Sequence, residues 1–222
     1  MRVAITTDRF DSVAPLYREA GLEPIWLPCV RVEPASDEVL DRARQVAASA
    51  ELLMLSSART VDWLWPHGGV PSVDAVAVGS AAAKTFSERG GRVVLTGNSG
   101  LADLAAKAST RLATNRVVFP RSADTDPDVL WIIRQLAPDL VEFEVYRTQP
   151  IPPEDIEVRA VAFASPSAVV GWHLSRDLVD LAVGAIGPTT SAALSQPPDV
   201  VARSPSHRAL AQALKSHMEA KV

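Results

Sequence analysis

The sequence predicts an α/β protein with two mostly parallel sheets. Short apolar runs alternate with stretches of helical length and polarity along most of the chain. Units of this length require right-handed crossovers, and such crossovers join parallel strands. Two parts of the chain also resemble each other over a strand, a turn and a helix start, which indicates two related domains.

Size and composition fit a soluble protein. The 222 residues are 47% apolar and 22% charged, enough for one large core or two small ones. No apolar run approaches the roughly 18 residues that span a membrane, and the first residues do not form a signal peptide, so we expect a cytoplasmic protein. The net charge of −4 argues against a general nucleic-acid-binding protein. The single cysteine, Cys29, is predicted to pack in the core.

The first third of the chain contains predicted strands at residues 3–6 and 25–32 with a helix at residues 11–20 between them. Ser36, followed by two acidic residues, predicts the start of a helix that reaches about Ala48. Further strands are predicted at residues 51–56, 75–78, 92–96 and 116–119, followed by helices that begin near residues 58, 80, 99 and 127.

Residues 141–148 break this rhythm, because apolar and polar side chains alternate strictly along them. The same alternation occurs at residues 30–33, so we expect the two segments to pair as a ladder. The α/β pattern then resumes, with strands predicted at residues 160–164, 181–186 and 199–202 and helices beginning near residues 167, 188 and 206.

The internal repeat suggests how the domains are arranged. Residues 53–63 align with residues 162–172, and residues 77–83 align with residues 185–191. We therefore expect one domain to be inserted into the other. The predicted parts are an outer domain of residues 1–33 and 152–222, an inserted domain of residues 36–142, and a connecting ladder of residues 30–35 and 142–151.

Ligands of open α/β sheets bind beyond the carboxyl ends of the strands. Three turns of the outer domain repeat a small residue, a proline and a hydroxyl residue, and each predicts a helix start with free N–H groups. They are Ser165-Pro166-Ser167, Gly187-Pro188-Thr189, which continues into Thr190, and Ser204-Pro205-Ser206. Three such turns favour an anion-rich ligand, although a single one is equally typical of an ordinary capped turn.

Other turns supply further candidate binding residues. In the outer domain they are Thr7 and Arg9, and in the inserted domain they are Ser57, Arg59, Gly79, Ser80 and Arg121. Arg59 and Arg121 could donate to an anion or could be ordinary surface arginines.

The common catalytic motifs are missing from the sequence. There is no glycine-rich dinucleotide motif and no P-loop, and the four histidines do not occur at metal-ligand spacing. His207, near a helix start, is kept as a candidate ligand contact. Tyr146 lies in the predicted ladder, where its phenol could donate a proton or simply pack.

Taken together, residues 163–167, 186–194 and 204–206, with Val145-Tyr146-Arg147-Thr148 before them, resemble the uroporphyrinogen-III synthase family. The resemblance covers essentially the whole chain. It implies two flavodoxin-like domains joined by a two-stranded β-ladder, an active cleft between them, and a cytoplasmic monomer.

The resemblance also implies a reaction. Members of the family cyclise the linear tetrapyrrole hydroxymethylbilane to uroporphyrinogen III with inversion of ring D, without metal or cofactor. It implies that Tyr146 is the general acid and that Ser165, Ser167, Thr189 and Thr190 bind some of the eight substrate carboxylates. The substrate would be handed over by the upstream deaminase, with no nucleic-acid or membrane partner.

Three positions depart from the family pattern. Ala82 stands where a threonine is common, Asp8 intervenes before Arg9, and Pro120-Arg121-Ser122 replaces a glycine-containing turn. These departures leave an alternative open, a relative that binds a tetrapyrrole or another polyanion as a regulatory module without converting it.

Overall fold

The computed structural model describes residues 1–97 and 99–220. Their helices and strands alternate along the chain, as the sequence predicts. The elements are β1 (Arg2–Ile5), α1 (Phe10–Glu19), β2 (Glu23–Trp26), β3 (Val30–Pro34), α2 (Asp37–Ala47), β4 (Leu52–Leu55), α3 (Ala58–Leu64), β5 (Asp74–Val78), α4 (Gly79–Glu88), β6 (Arg92–Gly97), α5 (Leu101–Lys107), α6 (Ser109–Thr114), β7 (Val117–Ser122), α7 (Pro127–Leu136), β8 (Leu140–Pro150), β9 (Ala160–Phe163), α8 (Pro166–His173), β10 (Ala182–Ala185), α9 (Pro188–Ala192), β11 (Val200–Val201) and α10 (His207–Ala220).

The chain divides into two compact units. The first unit combines Met1–Val32 with Thr148–Val222, and the second is Glu33–Arg147. The five-stranded sheet has the order β11-β10-β9-β1-β2, and its neighbouring strands are all parallel. Counted along the chain this is the order 2-1-3-4-5 of doubly wound folds, and the order reverses between β1 and β9.

The six-stranded sheet has the order β3-β8-β7-β4-β5-β6. The neighbouring strands β7, β4, β5 and β6 are parallel to one another, and β8 is parallel to β7. Here the order reverses between β4 and β7, because β5 lies beside β4 on one side and β8 lies beside β7 on the other. The predicted fold class, with two parallel-dominated sheets, is confirmed. β3 and β8 are neighbours, as the alternating residues predict, and both belong to this second sheet.

The predicted strand at residues 25–32 is wrong in one respect, because it is two strands in different sheets. β2 ends at Trp26 and β3 begins at Val30. Pro28, between them, has no N–H to donate to a ladder. The N–H of Cys29 donates to the carbonyl of Thr6 at 3.0 Å, and the carbonyl of Cys29 accepts from Ile151 at 2.9 Å.

Alternation along the buried strands places a core on each face of each sheet. In β4, Leu53 and Leu55 pack in one cluster while Leu52 and Met54 pack in another.

Cys29 is fully buried, and burial raises the pKa of its thiol to about 12. The prediction that this cysteine packs in the core is therefore confirmed.

No helix within the described ranges is both long enough and apolar enough to span a lipid bilayer.

Candidate functional site

The turn after β4 brings three hydroxyl groups together. Ser57 caps α3, and its Oγ accepts the N–H of Thr60 at 3.3 Å. The phenol oxygen of Tyr146 lies 3.0 Å from Ser57 Oγ, which in turn lies 3.3 Å from Thr60 Oγ1. Thr60 is fully buried, whereas Ser57 and Tyr146 are half-buried. The three hydroxyls therefore form a hydrogen-bonded chain from a buried threonine to a partly accessible phenol.

Strand pairing places Tyr146 at the carboxyl edge of the second sheet. On β8, Tyr146 is level with Ser122, the last residue of β7, and its carbonyl accepts the N–H of Ala123 at 2.8 Å. Its side chain reaches Ser57, which follows β4. These contacts lie where the strand order reverses, and this is where open α/β sheets bind their ligands.

A buried arginine holds β7 against β8 beside Tyr146. The Nε and Nη2 atoms of Arg121 lie 2.9 Å from Glu142 and 3.1 Å from Glu144, and its Nη1 donates to the carbonyl of Ser122 at 2.9 Å. Arg134 adds a second ion pair to Glu142 at 2.7 Å. Burial by itself raises the pKa of Glu142, but hydrogen bonds from the two arginines outweigh it and lower that pKa. Arg121, predicted as a binding residue, thus lies buried and paired between two strands.

Replacing Arg121 by methionine is expected to lower the unfolding free energy by about 2–4 kcal/mol, because Glu142 loses its buried partner and keeps only the half-exposed Arg134. Arg134→Met is the matched control, and it should cost much less because Arg134 is half exposed. Urea denaturation of the two variants measures the difference. Equal losses would show that Arg121 does not hold β7 to β8.

A groove of about 560 Å³ lies beside β8, lined in part by Tyr146 and Arg147. Three glutamates, Glu33, Glu142 and Glu144, also line it. Their carboxylates would repel a polycarboxylate ligand, so we do not assign this groove as its binding site.

The other predicted residues of the second unit lie on helix starts. Arg59 is half-buried in the first turn of α3, and Ser80 is exposed on α4. Gly79 begins α4 with a φ of +71°. This left-handed backbone favours glycine, so the turn geometry itself explains Gly79.

In the first unit, two of the three proline turns form the predicted helix starts. Ser165 caps α8 and accepts the N–H of Ala168 at 3.2 Å, with Pro166 in the first turn. Gly187 caps α9, with Pro188 in its first turn. Thr189 is exposed, but Thr190 is only 3% exposed, so its side chain is not available to a ligand in this conformation.

The third proline turn differs from the prediction. The cap of α10 is Ser206, whose Oγ accepts the N–H of Ala209 at 3.2 Å. Ser204 and Pro205 lie before the helix, because the N–H of Ser206 turns back to the carbonyl of Ser204 at 2.7 Å. The helix predicted near residue 206 is therefore present, but its cap is Ser206 and the proline lies outside the helix.

The internal repeat is also one residue out of register. β4 ends at Leu55 and β9 at Phe163, so the capping serines Ser57 and Ser165 correspond to each other. Aligning the tryptophans at positions 63 and 172 had paired Ser165 with Ser56. The strand ends and caps decide the register, because they fix where each helix begins.

The turn after β1 is largely occupied by its own contacts. Thr6 is fully buried and donates to the carbonyl of Ala162 at 2.8 Å, which joins β1 to β9. Thr7 donates to Asp8 at 3.3 Å, and its Oγ1 accepts the N–H of Arg9.

His207 lies 3.2 Å from the phenol of Tyr17, and burial lowers the pKa of its imidazole.

A family model described as uroporphyrinogen-III synthase HemD matches residues 11–220. The chain belongs to the uroporphyrinogen-III synthase family. This family acts in tetrapyrrole biosynthesis.

Solved structures of such synthases share the fold. A uroporphyrinogen-III synthetase from Helicobacter pylori is 17% identical, with a TM-score of 0.70 over 99% of this chain and 98% of that chain. A mutant uroporphyrinogen III synthase from Thermus thermophilus is 18% identical, with a TM-score of 0.68 over 99% of both chains. No match was found among curated protein sequences.

Two of the three departures from the synthase pattern occupy packed positions. Ala82 is 1% exposed and belongs to a core cluster of the second unit, and Pro120 is buried within β7. Only Asp8 lies in a partly exposed turn.

Within residues 1–97 and 99–220, no three His, Cys, Asp or Glu side chains are grouped so that they could hold a metal ion.

Proposed function

We propose that this member of the synthase family cyclises hydroxymethylbilane to uroporphyrinogen III with inversion of ring D. The observation that supports the proposal most directly is the 3.0 Å contact between Tyr146 and Ser57 at the strand-order reversal of the second sheet. It gives a partly accessible phenol a hydrogen-bonding partner at the edge where ligands of this fold class bind.

Tyr146 begins the proposed reaction as a general acid. Its proton passes to the terminal hydroxyl of the substrate, the C–O bond breaks and water leaves. The adjoining pyrrole stabilises the resulting electron-deficient carbon by donating electrons to it. The phenolate that remains accepts the O–H of Ser57, and Thr60 Oγ1, 3.3 Å away, lies within reach to donate to Ser57 in turn. The hydroxyl chain thus stabilises the charge left on Tyr146.

The remaining steps depend on how the substrate is folded. Ring D attacks the carbon that lost water through its own substituted carbon and forms a spiro intermediate. The bond from that substituted carbon to the methylene of ring C then breaks, and this methylene bonds to the free α-carbon of ring D, which inverts the ring. The carbon of ring D that forms the final bond then loses its proton, and ring D becomes aromatic again. The phenolate of Tyr146 is the base that recovers this proton, so the overall change is the loss of one water.

We propose that the helix starts of the first unit bind substrate carboxylates. The first N–H groups of a helix have no acceptor within it. At α8 these groups are flanked by Ser165 and Ser167, and at α9 by Gly187 and Thr189. Gly187 has an extended backbone, with a φ of −178°, that any residue can adopt. An added Cβ there would meet no heavy atom of the described residues within 4 Å. The contacts of the described residues do not require a glycine at this position, and we propose that Gly187 lets a substrate carboxylate approach the backbone closely.

Gly187→Ala is accordingly expected to raise the KM for hydroxymethylbilane about tenfold, because a methyl group would hold the carboxylate away from the N–H groups. The melting temperature should stay within about 2 °C of the wild type. Steady-state kinetics and thermal unfolding measure the two effects. An unchanged KM would remove α9 from the carboxylate-binding groups.

Conversion of fresh substrate tests the proposed function. Hydroxymethylbilane is generated by a deaminase in the same vessel, the hand-over that we propose for the cytoplasm, and the products are oxidised and separated as porphyrin isomers. The type III isomer should dominate over the type I product of spontaneous closure. Type I alone, at the rate without protein, would overturn the proposal and favour the regulatory relative. Gel filtration beside the assay tests the proposed monomer.

A further inference from the structure

An exposed tryptophan and a partly buried phenylalanine lie at the carboxyl edge of the first sheet. Trp26 is the last residue of β2, level with Ile5 on β1, and is 52% exposed. One face of its indole stacks on Phe10, with ring centroids 6.1 Å apart and an interplanar angle of 29°. Its Nε1 donates to the carbonyl of Thr7 at 3.1 Å. Two contacts therefore fix the ring, and about half of the residue remains exposed.

The charges around this pair do not favour a carboxylate ligand. Asp8 lies in the turn after β1, where it accepts the hydroxyl of Thr7, and Asp11 lies in the first turn of α1. Arg9 is the basic residue between them. The acidic charges repel carboxylates, whereas a flat indole face offers a neutral aromatic ring an offset-stacked contact. The edge therefore suits the ring of a ligand better than its acidic substituents.

The position in the fold agrees with ligand binding. β1 flanks the strand-order reversal of the first sheet, and the Nε1 bond ties Trp26 to the turn that follows β1. Trp131 is also exposed, at 62%, but it lies within α7 of the second unit and not at a strand end. A single exposed tryptophan on a helix needs no functional explanation.

We propose that Trp26, supported by Phe10, binds a pyrrole ring of the tetrapyrrole by stacking. This rests on the substrate class of the proposed function and adds a ring-recognition residue to it. The helix starts of α8 and α9 recognise carboxylates, and Trp26 recognises the aromatic ring itself.

Binding of uroporphyrin III, which keeps the pyrrole rings and eight carboxylates of the product, tests the proposal. Trp26→Leu should raise its Kd about 3- to 10-fold, because leucine keeps apolar area but has no aromatic face. Trp26→Phe should keep the Kd within about twofold, since a stacking ring remains. Trp131→Leu, the matched control, should leave the Kd unchanged.

Tryptophan fluorescence supplies a readout that a purely structural role would not change. The porphyrin should quench part of the wild-type emission, and Trp26→Phe should lose that part while still binding. Trp131→Phe should retain it. An unchanged Kd in Trp26→Leu would overturn the proposal, and so would undiminished quenching in Trp26→Phe. If Trp26→Leu does not fold, the Trp26→Phe measurement decides.

The two proposals fail separately. A protein that makes the type III isomer, with the same KM for hydroxymethylbilane in Trp26→Leu as in the wild type, would refute the stacking role alone. A protein that makes only type I but binds uroporphyrin III through Trp26 would refute the synthase reaction alone. Absence of porphyrin binding by the wild-type protein would overturn the stacking proposal.

Discussion

Tyr146→Phe is expected to lower kcat for uroporphyrinogen III formation about 100- to 10,000-fold, the usual contribution of a general acid. The KM should change little, because the ring and its packing remain and only the hydroxyl group is lost. The hydrogen bond to Ser57 is worth roughly 1 kcal/mol, so the variant should stay folded. Steady-state kinetics with separation of the porphyrin isomers measures the effect.

Tyr17→Phe is the matched control, because the chain has two tyrosines. Tyr17 is fully buried, its phenol lies 3.2 Å from His207, and burial raises its pKa, so it is poorly placed to release a proton. This variant should lose about 1–2 kcal/mol of unfolding free energy and keep the wild-type kcat. If both variants kept the wild-type kcat, Tyr146 would have no part in proton transfer, and another acid would have to be sought.

Gly171→Ala is expected to destabilise the first unit by about 2–4 kcal/mol. Gly171 lies in α8, and a Cβ built on it would fall 1.9 Å from the carbonyl oxygen of Cys29 and 2.8 Å from that of Ile151. Both are backbone atoms, and the Cys29 carbonyl also accepts the N–H of Ile151 at 2.9 Å. Neither segment can move aside without breaking that bond.

The sign of this change is what makes the experiment decisive. Replacing glycine by alanine inside an unobstructed helix stabilises a protein by about 1 kcal/mol. Gly187→Ala, which meets no obstruction, is the control and should unfold like the wild type. Urea denaturation followed by far-UV circular dichroism compares the three proteins. A Gly171→Ala variant as stable as the wild type would mean that α8 does not pack on Cys29 as described.

Features with a local cause could be predicted from the sequence. Ser165-Pro166 and Gly187-Pro188 form helix starts because proline fixes φ and the preceding residue supplies the cap. The same reasoning failed at Ser204-Pro205, where the chain turns back on itself before α10 and Ser206 becomes the cap. Ser204 is not the cap because the chain makes a turn there before α10 begins at His207.

The sequence by itself determined that this protein has two parallel α/β sheets, since buried strands and amphipathic helices have different periods. It also identified Tyr146 as a candidate acid. Only the tertiary structure decided that Tyr146 contacts Ser57, 89 positions away, and that Arg121 pairs with Glu142 and Glu144. These contacts follow from the order and register of strands that are distant in sequence, and no local pattern of residues encodes that order.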